Sequence, residues 1–223
     1  EKLIQHLTTI GFKKIGIAYQ NNSFGKEVLT AATAALEQRQ LKPVAAVSVE
    51  NNASDAAAAA TKLLAAQPDA LVLGLAGKPT IEVIKNVNQS RKGLQMYALS
   101  VLATAGNLKA LGNDGSGVAI SQVVPFPSNT VMPLVRDYQQ AMKAAGVNEF
   151  SHLSLEGYLN ARVVAEGIRR AGRNLSRESL ITSLQSINRM DMGGMEIGFG
   201  KGASSASKFV ELTVINSQGR LVK

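Results

Sequence analysis

If this chain performed catalysis, very few side chains could carry it. His6 and His152 are its two histidines; they lie far apart, and neither sits in a pattern of neighbouring metal ligands. There is no cysteine, which excludes structural disulfides, thiolate metal sites and a cysteine nucleophile, and leaves the redox compartment open. Neither G-x-S-x-G nor G-x-x-x-x-G-K-S/T occurs, so a nucleophile elbow and a phosphate-cradling loop are both missing. The string Gly193-Gly194-Met195-Glu196-Ile197-Gly198 has a G-x-x-x-G look, but it precedes a strand rather than joining strand to helix, so a dinucleotide site is not expected. The expectation is no catalysis, no metal and no cofactor. What remains is the chemistry of binding. Asn21 and Asn22 carry amides that could donate to a ligand or serve as ordinary turn residues. Lys78 could meet a ligand anion or stay solvated beside Pro79.

Any such residues must be positioned by the elements around them, and those elements recur regularly. Apolar runs begin at Lys13, Pro43, Asp69, Gln95 and Gly117, at intervals of 30, 26, 26 and 22 residues. Each interval holds one strand and one crossover helix, which predicts a doubly wound, parallel, five-stranded α/β sheet over residues 1–124. Such sheets bind ligands at the carboxyl ends of their strands. Val44 to Val49 and Leu71 to Leu75 read as strands buried on both faces. Ser54 reads as the N-cap of a helix Asp55–Gln67, and Lys78-Pro79-Thr80 as the start of another. At Val123-Val124-Pro125-Phe126-Pro127 the pattern becomes a crossover. Three helical runs follow over 125–192: one with Val131, Leu134, Val135, Tyr138 and Met142 on a face, one from about Ser154 to Ala171, and one capped by Ser176. Residues 193–223 read as a C-terminal strand pair, Met195–Phe199 and Phe209–Ile215, joined by the Gly/Ser-rich loop Gly200–Ser207.

Composition bounds the partners. Aromatic residues make up 4% of the 223 and tryptophan is absent, which argues against a base-stacking nucleic-acid surface. The net charge of +8 is spread evenly: residues 1–124 and 125–223 each carry 12 basic and 8 acidic side chains. The densest cluster, Arg169, Arg170, Arg173 and Arg177, reads either as a solvated helix end or as an anion or partner site. No run of 18 apolar residues occurs, so no membrane-spanning helix is expected. The opening Glu1-Lys2-Leu3-Ile4-Gln5-His6-Leu7 reads as the inside of an uncapped helix, so the chain is expected to be a piece of a longer protein, and a removed leader would leave no trace.

The segment Lys14-Ile15-Gly16-Ile17-Ala18-Tyr19-Gln20-Asn21-Asn22-Ser23-Phe24-Gly25 resembles the start of the second lobe of the branched-chain amino-acid (Leu/Ile/Val) binding protein family, the extracellular ligand-binding receptors of ABC importers, which share the type I periplasmic binding protein fold. Pro68–Leu73, Leu155-Glu156-Gly157-Tyr158 through Gly172, and Gly194–Phe199 agree in order and spacing. The resemblance implies a fragment with lobe two intact and helices belonging to a largely absent first lobe, whose bare apolar faces would make it self-associate. It implies a periplasmic or extracellular solute-binding protein whose two lobes clamp a small molecule and deliver it to a membrane permease. It places ligand contacts at Asn21, Asn22, Ser23 and Phe24, at Ala76 and Gly77, at Ser100, Val101 and Leu102, and at Leu153. Phe24 falls where members stack an aromatic on the ligand, or else it packs its loop on the sheet edge. Ala76 and Gly77 replace a position that is often aromatic, leaving room for a bulkier solute or making a tight turn. Val101 stands where amino-acid binders carry an acidic partner for the ammonium, and no Asp or Glu occurs between Glu82 and Asp114. The expected solute is a branched or aromatic carboxylate, amide or amino acid, and Val101 favours one without the amine. The effector domain of a transcriptional regulator, built on the same fold, is the alternative.

Overall fold

The structure is a computed structural model that describes residues 1–200 and 205–223. The chain forms two compact units, one of residues 1–122 with 212–223 and one of residues 123–211.

In the first unit, α1 (Lys2–Thr9) leads into β1 (Ile15–Gln20), α2 (Ser23–Glu37), β2 (Ala45–Val49), α3 (Ala56–Ala65), β3 (Ala70–Gly74), α4 (Lys78–Ser90), β4 (Gln95–Leu99), α5 (Ala105–Leu111) and β5 (Ala119–Gln122). The five strands pair in parallel in the order β2-β1-β3-β4-β5. Side chains alternate between faces along each strand. Ile15, Ile17, Ala70, Val72 and Tyr97 pack under α1 and α2 with Leu3, Ile4, Leu7 and Leu36. Leu71, Leu73, Met96, Ala98 and Ile120 pack under α3, α4 and α5 with Leu63, Ile84, Val87 and Leu111. Gly16 lets Leu71 approach closely: a methyl group there would lie 2.7 Å from its side chain.

Two further strands lengthen this five-stranded parallel sheet to seven. In the second unit, α6 (Pro133–Ala144), α7 (His152–Ala171) and α8 (Arg177–Gln185) precede a small antiparallel hairpin of β6 (Met190–Asp191) and β7 (Glu196–Ile197). The chain then returns to the first unit as β8 (Glu211–Ile215) and β9 (Leu221–Val222), an antiparallel pair that extends the sheet beyond β5. Ile215 N donates to Val118 O, and Gly117 N donates to Ile215 O. This return covers an edge that β5 would otherwise leave unpaired. The segments 195–199 and 209–215 therefore do not pair with each other: the first makes the hairpin with Met190–Asp191 and the second joins the main sheet. Residues 201–204 of the Gly200–Ser207 loop lie outside the described residues.

Three local expectations also change. β2 is the edge strand and, Val49 apart, its side chains are partly covered or exposed, so its apolar run does not reflect burial on both faces. α3 begins one residue later than expected, because Asp55 turns its carboxylate back to accept from Glu50 N (2.9 Å) and Ser54 N donates to Asn52 Oδ1 (3.0 Å). α7 begins at His152, where Ser151 and Ser154 form a reciprocal capping box.

The second unit has its own core of Val124, Leu134, Val135, Tyr138, Leu155, Leu159, Met192, Met195 and Ile197, in which the hairpin covers part of α6 and α7. Val131 lies outside it, at 83% exposure, ahead of the first turn of α6. Gly193 and Gly194 form the hairpin turn at φ 89° and 100°, their N–H groups donating to Asp191 Oδ1. Of the arginine cluster, Arg169 and Arg170 both hold Glu166 at 2.7 Å, and these bonds pull its carboxyl down to about 2. No helix of the described residues is long and apolar enough to cross a membrane.

Candidate functional site

Strand order reverses between β1 and β3, so the loops after these strands diverge and leave a crevice at their carboxyl ends. The loop after β1 is short because Asn22 caps α2 at once, its Oδ1 accepting from Gly25 N (3.0 Å). The tight entry needs glycine at position 25: a Cβ there would fall on the backbone nitrogen and oxygen of Gln20. Ser23 is exposed and Phe24 half-buried in the first turn of α2. The loop after β3 turns at Gly77, whose φ of 60° and ψ of −132° favour glycine, and α4 starts there with no side-chain cap. Ala76 is half-buried and Lys78 exposed; the Thr80 hydroxyl below them is fully buried without a hydrogen-bond partner. After β4, Ser100–Leu102 form a single 3₁₀ turn, with Val101 43% exposed and its carbonyl accepting from Asn107 Nδ2 (3.2 Å).

Nine of the sequence-derived contacts thus occur in the loops or first helical turns that follow β1, β3 and β4, but they are not equally available. Leu102 is fully buried in the core beneath its turn. Asn22 is engaged as cap and through Nδ2 to Asn51 Oδ1 (3.0 Å), and Asn21 Nδ2 donates to Glu50 Oε1 (2.8 Å). Ala76 N donates to Gln20 Oε1 (3.0 Å). Gln20 and Asn51 escaped the sequence reading; the one signal was a polar residue closing an apolar strand. The groups left outward are Ser23, Phe24, Gly77, Lys78, Ser100 and Val101. Lys78 is the charged residue among the stretches 20–24, 75–78 and 99–103, while Glu50, which holds Asn21, brings a carboxylate to the loop after β2. A cavity of about 200 Å³ lined by Asn88, Lys92, Gln95, Asp114 and Ser116 lies at the amino ends of β4 and β5, away from these loops.

Leu153, the second residue of α7, belongs to the other unit and is 62% exposed. Beside it His152 is buried, edge-on to Phe126 at 5.2 Å, and its Nε2 has no hydrogen-bond partner. Burial holds this imidazole below the ordinary histidine range, against the opposing pull of the Glu211 charge. Among the described residues no group of three or more His, Asp or Glu is placed to hold a metal ion.

The sequence profile described as periplasmic binding protein matches residues 1–220. The chain belongs to this family. Among solved structures it is similar to a substrate-binding periplasmic protein from Ralstonia solanacearum, at 30% identity and a TM-score of 0.85, over 99% of this chain and 64% of that one. It is also similar to an extracellular ligand-binding receptor from Verminephrobacter eiseniae, at 25% identity and a TM-score of 0.83, over 100% of this chain and 64% of that one. A possible leucine/isoleucine/valine-binding protein from Rhodopirellula baltica shares the fold at 24% identity and a TM-score of 0.86, over 100% of this chain and 63% of that one. The chain thus spans about 64% of the length of the first two of these structures. No curated protein matches the sequence.

Proposed function

We propose that this chain is part of the solute-binding protein of an ABC uptake system, periplasmic or extracellular, which holds a small branched or aromatic carboxylate or amide and passes it unchanged to a membrane permease. The first unit corresponds to one lobe of such a protein, and the second carries helices of another. Family membership and the Ralstonia and Verminephrobacter likenesses support the binding-protein reading over a regulator's effector domain.

The observation that carries the solute class is Val101. It is partly exposed after β4, where the resemblance calls for a carboxylate to pair an ammonium, and no acidic residue lies within ten positions on either side. A desolvated ammonium without a partner is costly. Phe24 offers a ring to an apolar or aromatic body, and Gly77 and Lys78 offer donors to an acid or amide oxygen. A thermal-melt panel on the intact protein, with branched and aromatic amino acids, their deaminated acids and their amides, tests this. A solute at 100 times its Kd adds about 2.7 kcal/mol, a rise of a few degrees in Tm. Rises with deaminated acids or amides are expected; rises only with amino acids contradict the reading of Val101.

We also propose that the chain on its own self-associates through the apolar side chains α7 and α8 leave exposed, Val164, Ile168 and Ile181. Sizing chromatography is expected to give a dimer or larger species, and a monomer at high concentration contradicts this.

A further inference from the structure

The loops after β1, β2 and β3 are joined by one relay of hydrogen bonds whose polarity is fixed at both ends. Ala76 N donates to Gln20 Oε1 (3.0 Å), and Gln20 Nε2 donates to Asn51 Oδ1 (2.8 Å). Asn22 Nδ2 donates to that same Asn51 oxygen (3.0 Å), while Asn22 Oδ1 accepts from Gly25 N (3.0 Å). The two ends, Ala76 N–H and Gly25 N–H, are backbone groups that can only donate. Gln20 must therefore turn its oxygen to Ala76 and its nitrogen to Asn51. Asn51 must present its oxygen, and Asn22 its nitrogen. No amide in the relay can flip without setting two donors or two acceptors against each other. Gln20 is also the most deeply placed of the three side chains, at 9% exposure, so a group left unpaired there is not rescued by water.

We propose that Gln20 is a positioning residue for solute recognition. From the end of β1 it reaches the loops after both neighbouring strands, and so fixes the spacing between Phe24 on one side of the crevice and Gly77 on the other. The inference rests on the reading of this edge as the binding face. It carries a consequence for the solute: the Ala76 N–H is occupied, so backbone donors at this loop come from Gly77 and Lys78.

The test uses the intact protein with Gln20→Met, which keeps length without hydrogen bonding, and Gln20→Glu. Amide exchange at Ala76 and the side-chain amide signals of Asn22 and Asn51 are read by NMR. In Gln20→Met, Ala76 is expected to exchange faster by roughly tenfold or more, with both asparagine signals displaced. In Gln20→Glu the ionised carboxylate still accepts from Ala76 but sets an oxygen against Asn51 Oδ1. The asparagine signals are then displaced at neutral pH and return toward wild type as acid restores a donor, a titration the wild type lacks. A residue that only fills space would leave Gln20→Met like the wild type and Gln20→Glu flat with pH, and either result overturns the proposal. Recognition is read separately with 4-methylpentanoate as probe, whose affinity is expected to fall roughly tenfold in Gln20→Met. Unchanged affinity with a broken relay also overturns the proposal. If the wild type binds no solute, the binding reading fails and takes Gln20's role in recognition with it, while the exchange data still report whether the relay holds the loops.

Discussion

Gly25→Ala is expected to lower stability by about 3 kcal/mol, or about 10 °C in Tm, a large effect for one added methyl group. Gly25 is not at a positive φ, so backbone strain is not the cause. The cause is approach: the first turn of α2 rests directly on the backbone of Gln20, and the new Cβ would occupy the position of the Gln20 carbonyl and amide atoms. Backbone cannot step aside as a side chain tip can. The helix must lift from β1, which breaks the Asn22–Gly25 cap and releases one end of the relay that fixes the site loops. Gly106→Ala is the control, because a Cβ there meets nothing within 4 Å and the position lies in the helix α5. It is expected to be neutral or slightly stabilising. Equal melting temperatures for the two variants would contradict this account of the α2 entry.

Tyr138→Ala is expected to cost about 4 kcal/mol in the second unit. Tyr138 is fully buried, with its ring 5.7 Å from both Phe150 and Tyr158. Its hydroxyl lies 2.6 Å from Ser154 Oγ and accepts from Ser151 N (3.2 Å), so one side chain joins α6 to the capping box that starts α7. Tyr138→Phe separates the two contributions. It keeps the ring and removes only the hydroxyl, so the expected loss is about 1 kcal/mol. Denaturant unfolding of both variants, followed by near-UV circular dichroism, measures the difference. If the phenylalanine variant lost as much as the alanine variant, the hydroxyl network rather than ring packing would hold this unit together.

The parallel sheet was legible because its central strands are buried on both faces, and continuous apolar runs such as Leu71–Leu75 have no other simple reading. The strand over Phe209–Ile215 was legible too, but its place in this sheet was not. β8 is short, partly exposed and separated by about ninety residues from β5, so nothing local announces its partner. β6 has two residues and exists only through its pairing with β7. At the candidate site, glycine and proline marked the loops, and Gly77 and Pro79 stand where a turn into a helix needs them. What those loops do with their polar groups was hidden, because it depends on contacts across 31 and 56 residues, from Gln20 to Asn51 and to Ala76. Asn21 and Asn22 read equally as ligand donors or as turn residues, and the observed bonds use them to cap α2 and to hold neighbouring loops. Leu102 reads as a contact because it follows β4, yet its side chain belongs to the core.

The most direct test of the solute class is a calorimetric titration of the intact protein with 4-methylpentanoate and with leucine, which share a carbon skeleton and differ by one ammonium group. With valine at 101 and no acidic residue within ten positions of it in sequence, the acid is expected to bind at least about tenfold more tightly than the amino acid, since an unpaired buried charge costs more than 1.4 kcal/mol. Tighter binding of leucine would contradict the assignment of this edge to solutes that lack an amine.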